Sequence, residues 1–316
     1  MNHNEYEPYR LDCLEKNRMR VLGIGYSTLD QIGVVERFPE PDFKVEMSTF
    51  SVQGGGTAAT AMVVLARWGI EAGFVGKVGS DARGEQIAAT LKNEGIDTSA
   101  LVHEPGAISQ LSFIIVEAGS GKKQTYFTWG NVGDLGADEV DESLLDGVEL
   151  LVVDGYYPRA QMAMMKAARK RGIEVLFEGN SARSEARELV ALSDYIVASE
   201  RFASQYTGVG HLQGLCKALL DKGPSKVVVT LGDEGSVAMQ AGSDEMLRIA
   251  PHPVEVLDTT GAGDVFLGAF AYGILQGWDL QKKVGVANAA AAMSCAHLGG
   301  RATIPEVGEL EAGLEG

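Results

Sequence analysis

Cysteine is nearly absent: Cys13, Cys216 and Cys295 are the only three in 316 residues. They are odd in number, far apart and form no CxxC pair, which excludes a disulfide framework and a thiolate zinc site and points to a reducing compartment. Five histidines are scattered without metal-ligand spacing. Basic residues are scarce, with 27 Lys and Arg against 43 Asp and Glu and a net charge of −16. A surface this acidic disfavours nucleic acid and anionic membranes as partners. Phosphate ligands stay open, because backbone N–H groups bind them inside a cleft. Long apolar runs are missing as well. The opening MNHNEYEPYRLDCLEKNRMR has no apolar segment of the signal-peptide kind. The most apolar stretch, VGVANAAAAMSCAHLGG (284–300), carries Asn288 and His297 and reads as a buried helix rather than a membrane span. A soluble cytoplasmic chain is expected.

What is present fits one large α/β unit with a small appendage, or two domains, at ~150 residues per domain. Hydrophobic residues make up 45% of the chain, enough for a sizeable core. Glycine, at 40 residues, runs well above the usual ~7%, without a collagen-like period, so many tight turns and close backbone approaches are expected. Residues 1–19 read as a polar tail. From Arg20 onward, short β-rich runs (RVLGIG 20–25, GFVGKVG 73–79, ELLVVDG 149–155, IEVLFEG 173–179, DYIVAS 194–199, KVVVTLG 226–232) alternate with helical segments such as 57–69, 82–95 and 158–172. This alternation predicts βαβ crossovers: a doubly wound, mainly parallel sheet with helices on both faces, and ligands beyond the strands' carboxyl ends. Two stretches, 31–53 and 101–130, lack helical periodicity and are rich in β-formers. SFIIVE, AGSGKK and QTYFTW read as a hairpin. They form either a small separate β-layer or edge strands of the main sheet.

The segment DTTGAGDVFLGAFAYGILQG (258–277) runs from an extended stretch through Gly261-Ala262-Gly263 into a helix that carries Asp264 in its first turn. Glycines there let N–H groups converge on an anion at the helix N-terminus. A carboxylate beside an anion hole suits phosphoryl transfer to a hydroxyl. Taken alone, Asp264 could equally complement the helix dipole.

The string as a whole resembles the signature of the ribokinase (PfkB) family of carbohydrate kinases. A second anchor, GGGTAATAMVVLARWG (54–69), is similar to that family's N-terminal di-glycine motif. The resemblance spans about residues 20–305 and implies a ribokinase-like three-layer αβα fold with a β-sheet lid. It further implies transfer of the γ-phosphoryl group of ATP, with Mg²⁺, to a sugar hydroxyl. Asp264 would be the base and Gly261, Ala262 and Gly263 the anion hole. Asp30, from GYSTLD (25–30), with Gly55, Gly56 and Thr60 would bind the sugar, although Asp30 also suits a turn. Thr230 and Gly232 in VTLGDEGSV, together with Asn288, would lie on the nucleotide side, where a plain hairpin turn is the alternative. Asp258 and Thr260, with carbonyls of the loop after Asn288, would hold a monovalent cation, K⁺.

Three departures bear on substrate and metal handling. The di-glycine motif of the family ends in Asn where this chain has Thr60. Its NxxE motif falls at Ser199–Phe202, which reads SERF and has no glutamate at the fourth place; the serine is similar to the ketohexokinase-like branch. Gln124 stands where many members place a lid Arg. A ketose or pentose is the expected acceptor. The alternatives are a nucleoside kinase, with Tyr126, Phe127 and Trp129 as candidate platform, and a catalytically weak sugar-binding or regulatory protein. Phe113, Ile115 and Val116 place apolar residues on both faces of the expected lid, which predicts a homodimer through the lids.

Overall fold

The computed structural model describes residues 20–180 and 184–314. The expected tail, 1–19, lies outside the described residues. In chain order come β1 (Arg20–Ile24), β2 (Thr28–Val35), β3 (Thr49–Gly55), α1 (Thr57–Arg67), β4 (Glu71–Gly79), α2 (Ala82–Lys92) and β5 (Leu101–Glu104). There follow β6 (Leu111–Glu117), β7 (Lys123–Thr128), β8 (Leu150–Val153), α3 (Pro158–Arg171), β9 (Glu174–Gly179), α4 (Ala186–Leu192), β10 (Tyr195–Ser199) and α5 (Glu200–Thr207). The chain continues with α6 (Leu212–Leu220), β11 (Lys226–Thr230), β12 (Ser236–Gln240), β13 (Leu247–Ile249), α7 (Ala262–Leu275), α8 (Leu280–Ser294) and α9 (Val307–Leu314).

Nine strands make one sheet in the order β13-β12-β11-β10-β9-β8-β1-β4-β5, parallel from β11 to β5 and antiparallel at β12 and β13. Central strands such as LLVV of β8 are buried throughout, as strands covered on both faces must be. Successive residues serve opposite layers: Leu150 and Val152 join the core under α1, α7 and α8, whereas Leu151 and Val153 join the core under α3 to α6. Local chemistry sets the helix ends. Pro158 opens α3, and Gly172, left-handed at φ 72°, closes it behind Arg169, Lys170 and Arg171. On the other face, a Cβ at Gly268 of α7 would lie 2.6 Å from Val64 Cβ of α1, so the glycine permits close helix packing.

A second sheet of four strands, β3-β2-β6-β7, stands apart; β2 and β6 are parallel and the outer pairs antiparallel. This is the expected β-layer, with two corrections to its bounds. It begins at Thr28 rather than 31. Residues 101–104 belong to the large sheet, as β5 beside β4, because the α2 crossover returns the chain to that edge and buries Leu101 in the main core. Cross-strand partners share a face. Asp30, Ser112 and Phe127 therefore lie on the inner face, whose Ile32, Val34, Ile114 and Val116 pack with Leu298. Phe50, Phe113 and Tyr126 lie on the outer face and are 56%, 45% and 60% exposed.

Candidate active site

Parallel strands end on one edge, and there the chain collects its functional groups. Two helices start at this edge from glycines in positive φ: α1 after Gly56 (φ 99°) and α7 after Gly261 (φ 77°). Neither has a side-chain cap; apart from Ala58, whose amide goes to Asp154, and Ala262, whose amide reaches the Thr259 carbonyl at 3.4 Å, the first-turn N–H groups are left for an anion. Gly56 cannot carry a side chain, since its Cβ would overlap the Tyr26 carbonyl. Asp264 stands between the two starts and accepts a hydrogen bond from the Thr57 hydroxyl. Burial pushes its carboxyl up to about 6; Asp30 and Asp154 push the same way, and Thr57 and Arg301 oppose them.

Asp30 rises from the inner face of β2 over Gly55, whose Cβ would collide with the carboxylate. Burial raises the Asp30 carboxyl, against a hydrogen bond from Ser112 and the charges of Arg301 and Lys123. Thr60 is buried in α1, where its hydroxyl accepts from Arg301 Nε at 3.0 Å. The residues expected to bind the acceptor, Asp30, Gly55, Gly56 and Thr60, thus come together beside Asp264.

Asp258 is buried and serves as a brace. One carboxylate oxygen takes the Thr260 amide (2.9 Å) and hydroxyl (2.7 Å), and the other takes the Gly299 amide (2.8 Å). The loop before α7 is thereby tied to the loop after α8. Thr230 ends β11 level with Ser199 of β10, and Gly232 follows it in an exposed turn at φ 64°. Asn288 lies in α8 against β12 and the end of β13. Its amide accepts from Ser236 Oγ at 3.1 Å and donates to the Ile249 and Ala250 carbonyls.

The departures have structural reasons. Ser199 caps α5 by accepting the Phe202 amide at 3.1 Å, and Phe202 is a fully buried ring packed on Phe177 and Tyr206. No carboxylate can occupy that place, and Glu200 points to solvent. Gln124 lies on the outer face, where it accepts from the Tyr126 hydroxyl at 2.8 Å. The inward cation is its neighbour Lys123, whose Nζ is 3.4 Å from Thr260 Oγ1.

Sequence reasoning missed Arg301, Lys123 and two acids. Asp154 follows β8 and accepts four N–H groups, from Tyr26, Ala58, Tyr156 and Gln161, while burial pushes it up to about 6. Glu178 of β9 is driven well above the ordinary range by burial and by Asp264 and Asp154. The position of both at strand ends in VVDG and LFEG was a usable signal. Of the platform candidates, Tyr126 turns outward. Phe127 and Trp129 join Tyr26 and Tyr156, with Tyr26 and Tyr156 stacked at 5.0 Å and Trp129 edge-on to Tyr26 at 5.1 Å. A cavity of about 330 Å³ opens beside them, lined also by Gln110 and Tyr157.

A carboxylate between two helix starts that lack side-chain caps, beneath a small sheet carrying a buried aspartate, suits phosphoryl transfer to a small molecule. The pfkB family carbohydrate kinase model matches residues 19–307. The chain is 28% identical over 305 residues to a 5-dehydro-2-deoxygluconokinase from Clostridium perfringens, covering 88% of each. It is 26% identical to a nucleoside kinase from Methanothermobacter thermautotrophicus, covering 92% of this chain and 93% of that one. A crystal structure of a ribokinase-like protein from Agrobacterium tumefaciens superposes with a TM-score of 0.87 at 27% identity, covering 95% of this chain and 98% of that one. The chain belongs to the pfkB family of carbohydrate kinases and has its ribokinase-like fold.

Proposed function

We propose that this sugar kinase takes ATP as donor and binds a ketose or pentose between the inner face of the small sheet and the start of α1. The observation that carries this reading is the placement of Asp264. Its carboxyl, raised to about 6 by burial, stands within the field of Asp30 and beside N–H groups at the start of α7. At neutral pH it is ionised yet basic enough to accept a hydroxyl proton as the oxygen attacks phosphorus. Asp30 orients the hydroxyls of the acceptor, with Gly55 and Gly56 allowing close approach of the ring and Thr60 set behind them. The Gly261–Gly263 backbone and Lys123 face the charge on the transferred group. Thr230 and Gly232 border the donor on the β11 side. Among the described residues no cluster of three acidic, imidazole or thiolate groups could hold a metal. Mg²⁺ would bridge the phosphates of the nucleotide. Carbonyls of the braced loops around Asp258, Thr260 and Cys295 offer a K⁺ site.

The outer face of the small sheet supports a homodimer through the lids, and the acidic surface of the chain disfavours nucleic acid and membranes. No helix among the described residues is long and apolar enough to cross a membrane. The free, buried Cys216 and Cys295 favour a reducing, cytoplasmic location. A second reading, a nucleoside acceptor, is favoured by one observation, the cavity beside Tyr26, Trp129 and Tyr156, which gives room for a planar group on the sugar. ADP release, measured with ATP and a panel of D-fructose, D-ribose, 2-deoxy-D-ribose, 5-dehydro-2-deoxy-D-gluconate and adenosine, separates the readings. Turnover with adenosine alone selects the second. Thermal shifts without ADP release would mark a binding protein and overturn both.

A further inference from the structure

Arg301 is a buried cation with no carboxylate in direct contact. From the loop after α8 its guanidinium donates through Nε to Thr60 Oγ1 (3.0 Å), through one terminal nitrogen to the Gly55 carbonyl (3.0 Å) and through the other to Thr90 Oγ1 (3.4 Å). All three acceptors are neutral. Among the described residues no ion pair neutralises it; Glu94, the acid on its outer side, is bound to Arg67 at 2.7 Å. An isolated buried charge is costly unless something in its field repays it. Its field falls on Asp30 and Asp264. Gly54 leaves room for it, since a Cβ there would overlap the guanidinium.

We propose that Arg301 is a positioning residue of the acceptor site: it fixes the Gly55 carbonyl and the Thr60 hydroxyl by hydrogen bonds and brings a positive charge to the wall of that site. The proposal rests on Asp264 as the base. The groups facing Asp264 are Thr57 from α1, Asp30 from β2, Asp154 after β8, Glu178 from β9 and Arg301 from the C-terminal loop. Of these only Arg301 is cationic. Asp30 and Asp154 push the base upward, and the guanidinium opposes them. Loss of the charge must therefore move Asp264 upward, so that it is protonated over more of the neutral range.

The test is a carboxyl ¹³C NMR titration of the aspartate-labelled enzyme without nucleotide or sugar, with the Asp264 signal identified by its disappearance in Asp264→Asn. The midpoint should lie near 6 in the wild type and about one pH unit higher in Arg301→Gln, which keeps an amide donor for Gly55 but no charge. Arg301→Met is a second neutral variant. Arg301→Lys, which keeps the charge but loses the fork of hydrogen bonds, should titrate like the wild type. A purely structural role predicts similar midpoints in every variant that folds, with only stability lost. An unmoved midpoint in a folded neutral variant, or a raised one in Arg301→Lys, overturns the proposal. Turnover of Asp264→Asn is read separately: if it stays high the base assignment fails, whatever the titration gives.

Discussion

Gly261 and Gly300 meet backbone to backbone. A Cβ on Gly261 would lie 2.6 Å from the Gly300 Cα, and one on Gly300 would lie 2.7 Å from the Gly261 Cα. With Asp258 bonded to the Gly299 amide, this contact makes the loop after α8 a support for the N-terminus of α7. The helix start proposed as the anion hole is thus held by a segment about forty residues further along the chain, and its geometry depends on two glycines.

Substitution at the two glycines of the turn should therefore diverge. Gly261→Ala meets both the Gly300 contact and a positive φ of 77°, which alone costs about 1–2 kcal/mol. It should melt earlier, and the displaced N–H groups should lower kcat by ~10²-fold or more. Gly263 has no neighbour within 4 Å of an added Cβ and sits inside the helix. Gly263→Ala should melt no earlier than the wild type, since alanine is favoured over glycine in a helix by up to ~1 kcal/mol. Melting curves and kcat for both variants check this; equal melting temperatures would remove the role given to the Gly261–Gly300 contact.

Monovalent cations should act through the same support. A K⁺ ion held by the loops around Asp258 and Cys295 would stiffen the N-terminus of α7. Turnover should rise when K⁺ replaces tetramethylammonium at constant ionic strength. A flat response would remove the cation site.

Assembly should depend on the outer face of the small sheet. Phe50, Phe113 and Tyr126 form an exposed apolar surface there, and a self-complementary patch of this kind closes a twofold dimer. Light scattering at tens of micromolar should give twice the chain mass, and Phe113→Asp should return the monomer. A monomeric wild type would rule the interface out.

Much of this was legible from the chain alone. Strand–helix alternation pointed to the parallel sheet because buried strands and amphipathic crossovers have different periods, and Gly-Ala-Gly-Asp marked the helix start because backbone anion binding needs those residue types. Arg301 and Lys123 were not legible. Arg301 reaches Thr60 across 241 positions, and nothing local distinguishes it from a surface arginine. Lys123 and Gln124 differ only in which face of β7 they occupy, a matter of register that one residue of offset reverses. The partners of the Asn288 amide, Ser236 and two carbonyls, are brought in by tertiary packing and were not legible either.

Asp264→Asn separates base from helix cap, because the two roles predict opposite shifts in melting and a large fall against almost no change in turnover. Burial raises the folded carboxyl from 3.8 to about 6. A raised acid gives stability that is fully present below pH 3.8 and lost as pH rises through 6, where the charged form must be accommodated. At ~1.36 kcal/mol per pH unit that loss is on the order of 3 kcal/mol at pH 8, and partial exposure of the group to the cleft brings it towards about 2. Asparagine is never charged and can still accept from Thr57, so the variant should melt above the wild type at pH 8 and close to it at pH 4. Turnover should fall by at least ~10²-fold, with ATP and sugar dissociation constants moving by less than about one decade, because the hydroxyl proton matters along the reaction coordinate. In the wild type the acid limb of kcat should fall away below about pH 6. A helix-dipole cap predicts the reverse: the carboxylate would be worth about 0.3–1 kcal/mol at pH 8, so its loss would lower the melting temperature and leave turnover nearly intact. A variant that melts early and still turns over would refute the base assignment.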